Sequence, residues 1–290
     1  MKRTDATHSE GADLVFDVQG SGGPLLLIPG AGGDAGVYGP LATMLSDTHQ
    51  VITYDRRCNA RSSGDPGAPF DMAQQARDAV AVLRAAGHPK ALVFGNSGGA
   101  NIALQLAADH PGHVALLVAH EAPALGLLAD EADTMAFVQQ VYRTSQEEGA
   151  PAAMRLFASR LAGFSPPPRP AGPPGPHPDG APGGPPGAPP GGSPGGLGQA
   201  KDMTHFFSTE YLGITLFTPN LDAIKAAGIP VAVLAGEKSG DAYYVRATRK
   251  VAEGLGLPVQ IVPGNHLAFL FEPVPFAAAI QAVLAAGRGG

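Results

Sequence analysis

Four short apolar runs constrain the fold of this chain more than any other feature. They occupy residues 25–28, 51–54, 91–94 and 114–119, and they do not alternate with polar residues. Runs of this kind are strands covered on both faces, the pattern of a parallel sheet rather than of a sheet with one wet face. Helical stretches separate them. Residues 71–86 carry Met72, Ala76, Ala79, Val80 and Leu83 at spacings of three and four and stop at Gly87, and residues 101–109 form a second helix. Beyond residue 228 the alternation resumes with a strand at 229–235, a helix at about 241–255, a strand at 258–262 and a last helix at 273–286. The expectation is an α/β fold, a mostly parallel sheet flanked by helices with right-handed crossovers.

The middle of the chain breaks this rhythm. Residues 129–161 and 201–227 read as helix without strands, and together they are expected to form a helical cap. Between Pro166 and Gly198, 14 prolines and 11 glycines fill 33 positions, too many for a helix or a packed core. Glycine does not recur at every third position, so a collagen helix is excluded. The reading is an α/β core at 1–122 and 229–290, with a helical cap at 123–228 that carries a disordered Pro/Gly-rich insertion at 165–199.

The chemistry begins at Gly95-Asn96-Ser97-Gly98-Gly99. This is a G-x-S-x-G motif between the apolar run 91–94 and the helical stretch that follows. A strand, a tight turn and a helix in that order hold a serine hydroxyl clear of the sheet edge, so Ser97 is a candidate nucleophile. With 40 glycines and 12 serines, chance supplies about 0.2 such motifs, and context has to decide. Gly191-Gly192-Ser193-Pro194-Gly195 also fits the pattern, but it lies in the proline tract with no strand before it and no helix after it.

Composition narrows the setting. A net charge of −6 argues against nucleic acid or an anionic membrane as partner. No run approaches the roughly 18 apolar residues of a membrane span. The N-terminal residues lack the apolar stretch of a secretory signal, which makes the cytoplasm the expected compartment. A single cysteine, Cys58, excludes an intrachain disulfide framework and a thiolate-rich metal site, and it reads as a small packed residue. No cofactor and no metal are expected, and the oligomeric state is open.

With these residues in view, the chain resembles the α/β-hydrolase family over nearly all of its length outside the insertion. Leu27-Ile28-Pro29-Gly30-Ala31-Gly32-Gly33 resembles the oxyanion loop after the third strand. Tyr54-Asp55-Arg56-Arg57 resembles the turn after the fourth, with Cys58 where the family commonly has glycine, and Asp55, Arg56 and Arg57 read as loop braces. Gly264-Asn265-His266 resembles the histidine loop. The resemblance implies Ser97 as nucleophile, His266 as its base, and the amides of Ala31 and Gly98 as oxyanion donors.

It leaves the acid open. Counting three residues past Gly236 lands on Ser239, which cannot support an imidazolium as a carboxylate does. Asp241 lies two residues further on, where it also reads as a helix N-cap. Glu121 follows the strand 114–119, the position used by some lipases, haloalkane dehalogenases and zearalenone lactonases. The implied activity is hydrolysis of a small-molecule carboxylic ester or lactone through an acyl-enzyme on Ser97. The alternatives are a receptor-like protein with little catalysis, or a peptidase or perhydrolase using the same serine and histidine. Phe137, Tyr142, Phe157, Phe206, Phe207 and Tyr211 either line the pocket or pack the cap, and His205 is a remote candidate.

Overall fold

Strands without a polar face need helices on both sides, and the alternation of strand and helix supplies them. The chain is described by a computed structural model over residues 2–128, 131–162 and 200–287. The strands are β1 (Arg3–Ser9), β2 (Ala12–Gln19), β3 (Gly23–Ile28), β4 (His49–Tyr54), β5 (Ala91–Asn96), β6 (Val114–His120), β7 (Val231–Gly236) and β8 (Val259–Val262). The core helices are α1 (Gly39–Leu45), α2 (Met72–Ala85) and α3 (Gly98–Asp109). Between β6 and β7 come α4 (Ala132–Glu147), α5 (Ala150–Ala158), α6 (Ala200–His205), α7 (Tyr211–Thr215) and α8 (Leu221–Ala227). The chain closes with α9 (Tyr243–Leu255), α10 (Ala268–Phe271) and α11 (Pro273–Ala286).

All eight strands form one sheet in the order β1-β2-β4-β3-β5-β6-β7-β8. The pairs from β4 to β8 are parallel, whereas β2 runs antiparallel to both β1 and β4. Alternate residues of one strand go to opposite faces. Leu25, Leu27, Leu92 and Phe94 pack with α1 and α11, while Leu26, Ile28, Val93 and Leu117 pack with α2 and α3. Among the described residues no helix is long and apolar enough to cross a membrane. The Pro/Gly-rich tract at 165–199 lies outside the described residues.

The six strands expected from apolar runs are all present, most of them a residue or two longer. Sequence reading missed the β1–β2 hairpin. β1 is exposed along most of its length, so it carries no apolar run, while β2 alternates, burying Ala12, Leu14, Phe16 and Val18. The turn between them, Glu10 and Gly11, has φ of +41° and +84°, the left-handed pair that a two-residue hairpin loop takes.

Two glycines fix how α3 leaves the sheet. A Cβ on Gly95 would stand 2.3 Å from the Gly99 carbonyl oxygen, and one on Gly99 would stand 2.0 Å from the carbonyl oxygen of Ile28. The backbones of β3, β5 and α3 therefore touch where a side chain would separate them. Replacing Gly99 by alanine forces α3 off β3, and the expected loss of stability is about 2–4 kcal/mol by urea unfolding. A variant as stable as the parent would show that this contact yields without cost.

Candidate active site

Ser97 occupies the turn between β5 and α3 with φ of +56° and ψ of −130°. A left-handed φ is costly for a residue with a side chain, and such outliers persist where the surrounding structure imposes them. Its amide donates to the His120 carbonyl at 3.0 Å, which ties the turn to the end of β6. Gly98 opens α3, so its N–H belongs to the first turn, whose amides have no intrahelical acceptor. Gly30 passes close by: a Cβ there would lie 3.3 Å from Ser97 Cβ and 3.2 Å from the Gly98 nitrogen. Ala31, the next residue, lines the same cavity as Ser97.

Glu121 is the second residue at a strained backbone position, with φ of +50°, immediately past β6. It is fully buried, and both its oxygens are engaged. Oε1 accepts from the Gly236 amide at 2.7 Å, and Oε2 accepts from His266 Nδ1 at 2.7 Å. Burial pushes its carboxyl upward, but the hydrogen bond from His266 outweighs it and holds the group at about 2. A carboxylate facing Nδ1 requires the proton on that nitrogen, so Nε2 of neutral His266 is left as the acceptor. The ring of Tyr244 packs on the imidazole, with centroids 4.2 Å apart.

The structure therefore brings Ser97, Glu121, His266, Ala31 and Gly98 together. It does not bring Asp241 to the histidine. Asp241 is exposed, its carboxylate pairs with Arg249, and its carbonyl accepts from Arg246 Nη1 at 2.7 Å. It does not cap α9 either, since that helix starts after Ala242 without a side-chain cap. Ser239, at the position counted from Gly236, is buried. The loop after β7 thus has no need of a carboxylate, because the one on β6 already fills the histidine's Nδ1 side.

Sequence reading passed over two buried residues. Asn96 Nδ2 donates to His120 Nδ1 at 2.8 Å and to the His266 carbonyl at 3.2 Å, joining the ends of β5 and β6 to the histidine loop. Because Nδ1 accepts, His120 is neutral. Burial holds its imidazole down at about 4 despite the opposing pull of Glu121. The available signal was position alone: Asn96 is the first x of the motif, and His120 precedes Glu121.

Two lobes open beside Ser97 and His266. The larger, about 480 Å³, is lined by Val37, Tyr38, Met154, Leu161, Leu267 and Phe269 among others. The smaller, about 330 Å³, meets Pro123, Phe206, Ile214, Tyr243 and Tyr244. Phe157 and Ala31 border both. Among the described residues no Asp, Glu, Lys or Arg lines either lobe. Of the six aromatics expected between β6 and β7, Phe157 and Phe206 reach the cavity, while Phe137, Phe207 and Tyr211 are core. Tyr142 packs against that core partly buried, and His205 stands 3.7 Å from Glu210 in another cavity.

Comparison with known proteins gives the following likenesses. The sequence profile of the alpha/beta hydrolase fold matches residues 23–273. A protein named uncharacterized hydrolase YraK, from Bacillus subtilis strain 168, is 26% identical over 275 residues, covering 89% of this chain and 88% of its own. The structure of a thermophilic esterase from Thermogutta terrifontis, bound to malate, superposes with a TM-score of 0.71 at 19% identity, covering 99% of each chain. Est816, described as an N-acyl homoserine lactone degrading enzyme, superposes with a TM-score of 0.70 at 20% identity, covering 96% of this chain and 99% of its own. At these identities the two superpositions are likenesses of fold.

The two buried titratable neighbours give the site an acid limit. Unfolded His120 takes up a proton near 6.5 but the folded residue only near 4, so the unfolded state binds more protons as pH falls across that window. Stability drops accordingly, by about 3 kcal/mol from this residue. Glu121, charged in the fold down to about 2 but protonated near 4.5 when unfolded, adds a further loss below pH 4.5. Urea unfolding of wild type and His120→Gln from pH 4 to 6.5 checks this. The variant should show a flatter profile, and identical profiles would refute the assignment.

Proposed function

The chain belongs to the alpha/beta hydrolase fold family, and from that premise we propose that it is a serine hydrolase cleaving a carboxylic ester or lactone of a small molecule. The observation that carries the reading is the buried Glu121–His266 pair opening on the same apolar cavity as Ser97. Ser97 Oγ attacks the carbonyl carbon while His266 Nε2 takes its proton, and Glu121 stabilises the imidazolium. The carbonyl oxygen, now negative, meets the amides of Ala31 and Gly98. Collapse expels the alkoxide, which takes the proton back from His266 and leaves an acyl group on Ser97. Water, deprotonated by His266, then attacks the acyl carbon, and the acid departs as Ser97 regains its proton. In a lactone the expelled alcohol stays tethered to the acyl group.

The lining supports a substrate that is neutral and mostly apolar on both sides of its carbonyl. An aminopeptidase reading needs a carboxylate to receive the substrate's ammonium group, and no Asp or Glu lines either lobe among the described residues. A receptor-like protein with little catalysis would follow from a histidine lacking a carboxylate partner, as Ser239 would leave it, and Glu121 supplies that carboxylate from the end of β6. The helices between β6 and β7 act on this reading as the cap, with Phe157 of α5 lining both lobes.

Hydrolysis of p-nitrophenyl butyrate tests the chemistry. Ser97→Ala is expected to lose activity by 10⁴-fold or more and Glu121→Gln by roughly 10²- to 10⁴-fold, while Asp241→Asn stays within about twofold of wild type. Full activity in Ser97→Ala would end the proposal. The lining is tested separately by comparing p-nitrophenyl hexanoate with mono-p-nitrophenyl adipate, which share a leaving group. An unpaired carboxylate in an apolar lobe should cost about 100-fold or more in kcat/KM. Equal rates would show that the acyl group does not enter either lobe.

A further inference from the structure

The turn after β4 buries an arginine that this chemistry does not use. Arg56 and Glu210 are both fully buried, Glu210 standing at the end of a π-helical turn between α6 and α7. The pair is forked, with Nη1 donating to Oε1 at 2.8 Å and Nη2 to Oε2 at 2.6 Å, and Asn59 Nδ2 adds a bond to Oε1 at 3.1 Å. Desolvating two charges is costly, and such a pair is poor evidence of a stabilising role. Beyond the pair, Nη1 donates to Gln75 Oε1 at 3.3 Å, and a second bond reaches the loop after β3. Nη2 also donates to the Gly30 carbonyl at 2.9 Å.

That carbonyl belongs to the peptide joining Gly30 to Ala31. In a planar trans peptide the C=O and the N–H point in opposite directions, and no peptide bond among the described residues is cis. A guanidinium that holds the Gly30 oxygen on one side therefore turns the Ala31 N–H to the other. Ala31 and Ser97 line both lobes, so that N–H belongs to the loop bordering the nucleophile. The rest of the loop is held by its own turn and by the turn after β4. Gly33 N–H donates to the Gly30 carbonyl at 3.1 Å, Arg56 N–H to the Gly33 carbonyl at 2.8 Å, and Ala35 N–H to Asp55 Oδ1 at 2.8 Å.

We infer that Arg56 and Glu210 are positioning residues for the oxyanion loop. The ion pair fixes the Gly30–Ala31 peptide so that its N–H is aimed before substrate arrives, and because Glu210 lies in the segment between β6 and β7, that aim depends on the segment being seated. What the amide does rests on the ester-hydrolase reading; how it is held does not.

Arg56→Lys tests this, since an ammonium keeps the charge but cannot span both carboxylate oxygens and the Gly30 carbonyl as the planar fork does. For p-nitrophenyl butyrate, kcat should fall on the order of 10- to 100-fold with KM within about threefold. The inhibition constant of an alkyl trifluoromethyl ketone, whose hemiketal with Ser97 carries the oxyanion, should rise in parallel. Arg57→Lys, which perturbs the neighbouring pair with Asp78, should leave both unchanged. Without any substrate, hydrogen–deuterium exchange across residues 29–36 should quicken by about tenfold in Arg56→Lys. Should that variant not fold, Arg56→Met with Glu210→Met removes both charges and is judged by the same readouts.

Unchanged kcat and ketone inhibition beside a lowered Tm would make the pair merely structural and overturn the inference. If wild type turns over no ester, the hydrolase reading fails on its own, and the exchange measurement decides the positioning: unchanged exchange across 29–36 overturns it.

Discussion

The close approach of three backbones at the end of β5 sets the terms for everything around it. Ser97 sits at a left-handed φ because the chain must turn from β5 into α3 without room for a looser loop, and Gly95 and Gly99 are the positions where that closeness is absolute. The same contact brings Gly30 against Ser97 and Gly98, which leaves the loop after β3 beside that serine. Strain at one serine thus organises two loops. The parallel sheet then delivers the other groups: β6 and β7 lie next in order, and their ends carry Glu121 and the Gly236 amide that holds it.

A second strained residue on the next strand answers why the carboxylate comes from β6. At φ of +50° Glu121 leaves the strand at an angle that lets one oxygen reach Gly236 and the other His266. Asn96 completes the frame by bonding both the His120 ring and the histidine loop. The histidine is thus held through its ring nitrogen, its carbonyl and the face against Tyr244. Preorganisation of this kind lets a site act on developing charge without reorganising.

Legibility in the sequence followed the range of the interaction. Strands buried on both faces and the G-x-S-x-G turn are local, so the sheet, Ser97 and the histidine loop could be read from short stretches. The carboxylate that meets His266 could not, because Glu121 and Asp241 both stand at plausible distances along the chain, and only the path of β6 against β7 separates them. The β1–β2 hairpin escaped because its edge strand is polar and its partner shows its apolar residues only at every second position. Arg56 and Glu210 lie 154 residues apart, and no spacing rule connects a charged turn to a helical segment on the far side of an insertion. Phe157 and Phe206 share their stretch of chain with four other aromatics, and helical periodicity alone does not say which of them faces a cavity.

The distribution of charge ties these observations together. Both lobes beside Ser97 lack Asp, Glu, Lys and Arg among the described residues, yet Glu121, Arg56 and Glu210 are buried within the surrounding structure. Every one of those charges is bonded to a partner or to a backbone group bordering the site, and none of them lines the cavity. An apolar lining lowers the local dielectric, which strengthens each fixed dipole and ion pair behind it. On the proposed reading the chain keeps its charges out of contact with the substrate and uses them to aim one imidazole and one peptide N–H. Substrate choice and the charges behind the reaction are then carried by separate residues: apart from Asn96 and Tyr244, which line the lobes and also hold His266, the lining can be reshaped without touching Glu121, Arg56 or Glu210.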